Sequence, residues 1–425
     1  MQDKPDPNEL ERLIRQLIES GQIDPKALEQ VAGLMNNPEL VTQLFSNMQT
    51  MFSSGSESVN WELAIVQGVT LASAGEAAAP ESLHQELPKA FDIAALWLQE
   101  ATDFATTEPT KQLSRSMWVK DAMPLFKELS EPIATSMAKA LSENLGQAMP
   151  AEFAQALGSA ANFLGNAGAT IFALQLGQAA GKLAAEAVLA SEIGIPLSHR
   201  PGFVTQNLSA LLDQIETPKT ELLIYLATRE LAITALFSSN PYLRERIVSQ
   251  VREFAAGLKI DTESIQELAE QVDLSSPDQV NHIIEVSSAL AARTPEQELA
   301  LARIETTLAL VEGWVDSVTN QATKRLPTSS AMSELYRRRR STSGVGQKTF
   351  ATLLGMELAP KLVREAEALW NLVVSEHDEQ VRDQLISHPD QLPSLEEIRD
   401  PQLLLRRLSG EGDDWDNQLR NLLGE

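Results

Sequence analysis

A chain of 425 residues, 43% hydrophobic and 22% charged, has enough apolar material for a large core, and those proportions exclude wholesale disorder. Its 59 Asp and Glu against 34 Lys and Arg give a formal net charge of −25, which repels phosphate backbones and anionic lipid surfaces, so neither nucleic acid nor membrane is expected as a partner. There is no cysteine, which rules out disulfides, thiolate nucleophiles, Fe–S clusters and cysteine-ligated zinc.

The first fifty residues read as short amphipathic helices. Leu10, Ile14, Leu17 and Ile18 recur at helical spacing, as do Leu40, Val41, Leu44, Phe45 and Met48. Ser53-Ser54-Gly55-Ser56 reads as a linker, so residues 1–55 form an N-terminal segment, 56–410 the main helical domain and 411–425 an acidic tail. Val59-Asn60-Trp61 opens the next helix, and from Glu81 to Ser142 the pattern stays helical with Trp97, Trp118 and Phe126 as anchors. Gly177 and Gly181, four apart, share a helix face that would let another helix approach closely. A phosphate-cradling loop is the sharper reading of these glycines, but no strand precedes them and no Gly-Lys-Ser/Thr follows.

Thr217-Pro218 opens and Asn240-Pro241 closes a helix that is apolar on nearly every side from Leu222 to Phe237, as a central buried helix would be. Thr294-Pro295-Glu296-Gln297 is a capping-box arrangement, and Ile304, Leu308, Val311, Val315 and Val318 form the stripe of the helix it starts. Arg337-Arg338-Arg339-Arg340 with Ser341-Thr342-Ser343-Gly344 reads as a solvated cluster beside an exposed loop, with an anion site as the sharper alternative. A further helix runs from Phe350 to Val374. No segment alternates with period two, aromatics are only 5%, and Leu and Ala abound, so the expected class is all-α. The N-terminus lacks the apolar core of a signal peptide and no stretch reads as a membrane span. The best candidate, Leu157 to Ala190, is interrupted by Asn162, Lys182 and Glu186, and a cytoplasmic location is expected.

The histidines His84, His199, His282, His377 and His388 stand alone, none three to five residues from another, so none begins a two-histidine helical metal site. There is no Gly-x-Ser-x-Gly elbow to seat a nucleophile.

Four blocks carry a resemblance: Val59-Asn60-Trp61-Glu62-Leu63-Ala64, the Gly-rich helix ending at Gly194-Ile195-Pro196-Leu197, Leu310-Val311-Glu312-Gly313, and Leu392-Pro393-Ser394-Leu395-Glu396-Glu397-Ile398-Arg399-Asp400-Pro401. In that order they resemble the actinobacterial zincin-like hydrolases, a zinc-dependent metalloprotease-like family. The resemblance implies a multi-helix zincin-like hydrolase fold with a central buried motif helix carrying His-Glu-x-x-His, whose histidines bind zinc and whose glutamate activates water. It aligns that motif with the segment from Ala227 to Phe237. Glu230 falls at the general-base position, now vestigial, and Arg229 and Ile233 fall where the two histidines would stand. Glu312 falls at a further ligand position, with Trp314 replacing a family histidine.

A guanidinium has no lone pair for a metal and isoleucine offers nothing, so zinc is not expected as a cofactor here. Glu305 or Asp316 could at most help form an oxygen site suited to calcium or magnesium; their plainer reading, with Glu312, is a solvated helix face. The leading expectation is a homologue that has lost its zinc ligands, non-catalytic, with a structural or protein-partner-binding role. The rivals are an active metal-dependent hydrolase or peptidase using a non-standard site, and a plain helical scaffold. An arginine inside so apolar a helix needs a partner. Arg229 is therefore expected to pair with Glu312 or Glu230, with Ile233 and Trp314 filling the remaining volume.

Overall fold

The computed structural model describes residues 59–147, 154–257, 294–345, 348–349, 351 and 362–410. The expected N-terminal helices, the acidic tail, His282 and the start of the Phe350 helix lie outside the described residues. The chain divides into the units Met1–Asn60 and Trp61–Glu425, and the second is described here.

Thirteen helices and two three-residue strands are described, an all-α architecture. In chain order they are α1 (Trp61–Ser73), α2 (Glu81–Leu98), β1 (Lys111–Leu113), α3 (Arg115–Gln147), α4 (Ala154–Glu186), β2 (Gly202–Val204), α5 (Thr205–Gln214), α6 (Lys219–Ser239) and α7 (Tyr242–Ala256). After these come α8 (Pro295–Ala322), α9 (Ser329–Ser343), α10 (Val363–Glu376), α11 (Glu379–Ser387), α12 (Leu395–Arg399) and α13 (Pro401–Leu408).

Two helices form the centre. Every residue of α6 from Leu222 to Phe237 is buried, as is every residue of α8 from Thr307 to Thr319. Neither has a solvent face over that stretch, because α2, α8 and α9 pack around α6 while α7 and α10 pack on α8. The sequence reading found no stretch fit to span a membrane, yet α6 is long and apolar enough by composition. It is the buried core helix of this fold, and its central charges Arg229 and Glu230 are bonded within the protein.

α8 starts as its sequence dictates. Gln297 N donates to Thr294 Oγ1 at 3.2 Å, and Thr294 N donates to Gln297 Oε1 at 3.0 Å, which satisfies two otherwise orphaned amides. At the start of α6 the boundary residue is Pro218, one later than Thr217, and no side chain caps the helix. The four arginines lie within the last turns of α9 and not beside an exposed loop.

The glycine face on α4 is a packing device. A Cβ on Gly177 would lie 2.5 Å from the Ala64 carbonyl oxygen and 2.8 Å from Gln67 Cβ, both on α1. One on Gly181 would lie 2.7 Å from Leu71 Cβ, so α1 and α4 meet backbone to backbone. The strands escaped the sequence reading because three residues are too few for alternation to show. They pair in parallel, Lys111 with Gly202 through Leu113 with Val204, and tie the segment after α4 to the segment before α3.

Candidate functional site

α6 brings Arg229, Glu230 and Ile233 to the centre, and α8 brings Glu312 and Asp316. The two carboxylates are four residues apart, so they stand one above the other on the same face of α8. Arg229 lies between the helices at 3% exposure, its Nη2 donating to Glu312 Oε2 and its Nη1 to Asp316 Oδ1. One guanidinium thus spans two carboxylates with separate nitrogens, and the Tyr336 ring lies 4.4 Å from its central carbon. Burial alone would lower the Arg229 pKa, but Asp316 and Glu312 together raise it well above the ordinary arginine value, so the charge is fixed.

α9 closes the other side. Arg340 also donates to Glu312 Oε2. Arg337 Nε donates to Asp316 Oδ2 at 3.3 Å, and its Nη2 donates to Glu367 Oε2 on α10. Three arginines therefore face three carboxylates. Glu312 Oε1 has no hydrogen-bond partner among the described residues and faces Gly194, where a Cβ would lie 2.9 Å away. Gly194 has φ +86, so a side chain there would be excluded by both backbone conformation and space.

The expected Arg229–Glu312 pair is present, and Asp316 joins it. The reading of Glu312 and Asp316 as a solvated face fails, since they are 2% and 3% exposed. Glu305, on the same helix, is half-buried. The expectation of four solvated arginines fails likewise: only Arg338 is exposed, on Glu334 one turn back. Arg339 donates to Glu192 at 2.6 Å. Sequence reasoning missed Tyr336 and Glu367, and it singled out Arg337 and Arg340 without linking them to Arg229. The available signal was spacing, because 336, 337 and 340 share one face once the segment is read as helix.

Glu230 points elsewhere. At 1% exposure it accepts hydrogen bonds from Ser191 Oγ, from Ser191 N at 3.3 Å and from Gly202 N at 3.1 Å, bracing the segment between α4 and β2. Burial pushes its carboxyl up to about 7, against the opposing pull of the Ser191 and Gly202 donors. Ile233, one turn on from Arg229, is 2% exposed and adds only apolar packing.

Trp314 does not fill space near Arg229 as expected. Two residues along a helix is about 200° of rotation, so it leaves α8 on the side away from Glu312. Its indole N–H donates to Asp383 Oδ1 at 3.0 Å, and its ring lies 5.4 Å from Phe104. It belongs to a second buried network in which Arg382, 0% exposed, donates to Asp383, Gln321 and the Ala101 carbonyl. Among the described residues no three His, Asp or Glu side chains gather as a metal-holding group.

The site thus lies in an all-α fold, where a central helix faces acidic residues on a second core helix. The chain belongs to the zincin-like metallopeptidase family, whose model matches residues 59–405. Among solved structures it is similar to a proposed hydrolase with a novel fold from Chloroflexus aurantiacus, with a TM-score of 0.57 and 17% identity over 83% of this chain and 99% of that one. At that identity the likeness is one of fold. No curated protein matches the chain.

Proposed function

We propose that this chain is a non-catalytic member of its family, in which the Arg229 guanidinium takes the place of a zinc ion, and that it acts as a structural or protein-binding component. The observation that carries this reading is the bonding of Arg229 to both Glu312 and Asp316 in the centre of the fold. A catalytic zinc needs about three protein ligands with free lone pairs. Arg229 and Ile233 offer none, and Glu312 Oε2 already accepts from two arginines, so the donor set does not fit zinc. Glu230, the counterpart of the water-activating glutamate, is engaged by Ser191 and Gly202 away from Glu312. The acidic whole favours a protein partner over nucleic acid or membrane, and a cytoplasmic setting fits the absence of cysteine.

Elemental analysis and peptidase assays of the purified chain test the proposal. Well under one zinc per chain, with unstructured protein substrates left intact, is the expected result. Near-stoichiometric zinc, or metal-dependent cleavage abolished by Glu230→Gln, would overturn it in favour of an active hydrolase with a non-standard site.

A further inference from the structure

Away from the Arg229 cluster, the end of α4, the outer face of α5 and the end of α9 enclose an open cleft of about 360 Å³. That volume falls in the range of small-molecule sites. Its charges do not balance. Arg115, Arg339 and Lys348 line it against only Glu186 and Glu192. Glu192 is met by Arg339 at 2.6 Å and Glu186 by Lys348 at 2.7 Å, which leaves Arg115 without a carboxylate. In a chain of net charge −25, an arginine left over inside a cleft is unusual enough to need a reason.

Arg115 is also held in place. Its Nε donates to Asn207 Oδ1 at 2.7 Å, while its Nη1 and Nη2 have no acceptor among the described residues. Asn207 is 6% exposed, and its Nδ2 donates to the carbonyls of Ala184 at 2.8 Å and Ala187 at 2.5 Å. Only one orientation of that amide satisfies all three bonds, so the guanidinium is anchored by its Nε and presents its two terminal nitrogens. The remaining walls are mostly apolar, with Ala185, Val188, Ala210, Leu211 and Val345 beside the amide of Gln214 and the backbone of Gly344.

We propose that this cleft binds a small organic acid, its carboxylate accepted by Nη1 and Nη2 of Arg115 and its short aliphatic tail lying against Leu211 and Val345. A guanidinium end with two parallel N–H groups matches a carboxylate. The apolar walls and the nearby Glu186 and Glu192 disfavour a bare dianion such as phosphate. The site is independent of whether the Arg229 centre is catalytically silent.

Calorimetric titration of the full chain with hexanoate, hexanamide and inorganic phosphate tests this. Hexanoate saturates a single site, and hexanamide, the same tail without the charge, does not. Arg115→Gln weakens hexanoate binding on the order of 10- to 100-fold, the scale of a lost charge-assisted pair. Ala210→Trp, at an exposed position on the cleft wall, blocks binding with Arg115 intact and keeps the test open if Arg115→Gln folds poorly. The proposal falls if hexanoate shows no saturable binding, if hexanamide or phosphate binds as tightly, or if both variants bind hexanoate like the parent.

Discussion

Arg229 carries a charge into a helix whose residues are buried from Leu222 to Phe237, so the energetics rest on its partners. Removing one member of a buried pair leaves the other charged and unmatched, at a cost of roughly 3–5 kcal/mol. Arg229→Ala should lower stability to urea by that amount, whereas Arg338→Ala, from an exposed pair, should shift it by less than ~1 kcal/mol. Equal midpoints for Arg229→Ala and the parent would contradict the network. Glu230 makes a second prediction, in pH. Its carboxyl ionises near 4.5 when unfolded and near 7 in the fold, so between those values the unfolded chain releases a proton that the folded chain keeps. The associated stability is present in full below about pH 4.5 and is lost as pH rises through 7, by about 3 kcal/mol. Urea midpoints at pH 5 and pH 8 should therefore fall more steeply for the parent than for Glu230→Gln, and parallel profiles would refute the shift. At this scale the Arg229–Glu312 pair was legible because a cation in an apolar helix demands an acid. Asp316 was not, since four-residue spacing suits a solvated face as well as a buried one. Trp314 was placed on the wrong side because the family alignment gives a position but no direction around α8.

The elements repeat the lesson with different physics. Thr294-Pro295-Glu296-Gln297 announces the start of α8 locally, and both capping bonds form. The two strands, stabilised by pairing between distant segments, leave no local trace. The arginine run misled because four adjacent cations look solvated until the acids of α8 and α10 are placed beside α9. The contact of α1 with α4 yields a prediction of its own. Gly177→Leu must push its side chain into the Ala64 carbonyl and Gln67, and overpacking of this kind costs ~1–3 kcal/mol or more. Thr294→Ala should cost about 1 kcal/mol through the lost cap. Denaturant midpoints for the two variants should rank in that order, and a neutral Gly177→Leu would mean that the helices part easily.

The whole molecule combines a surplus of negative charge with buried centres in which opposite charges are matched. The surplus repels itself, and dissolved ions screen exposed charges over about 10 Å at 0.1 M while scarcely reaching buried pairs. Raising sodium chloride from about 10 mM to 0.3 M should therefore raise the thermal midpoint of the parent. The penalty of Arg229→Ala should stay the same across that range, and a penalty that vanishes with salt would place Arg229 at the surface. The all-α class could be read from composition and period because both sum over hundreds of residues. The depth of each charge could not, since burial is settled by helices far apart in sequence.

A cation that belongs to the chain has no dissociation constant. Where an ion holds a fold's centre together, folding is linked to that ion's supply, to rival ions and to the protons its ligands must release. Glu312 and Asp316 meet a guanidinium that arrives with the helix itself, one per chain, and that stays charged across the physiological range. The pairing of Arg229 with both carboxylates forms as soon as α6 and α8 meet. Its melting temperature should be indifferent to added EDTA and to added zinc, and a drop with the chelator would show that an ion still shares the work.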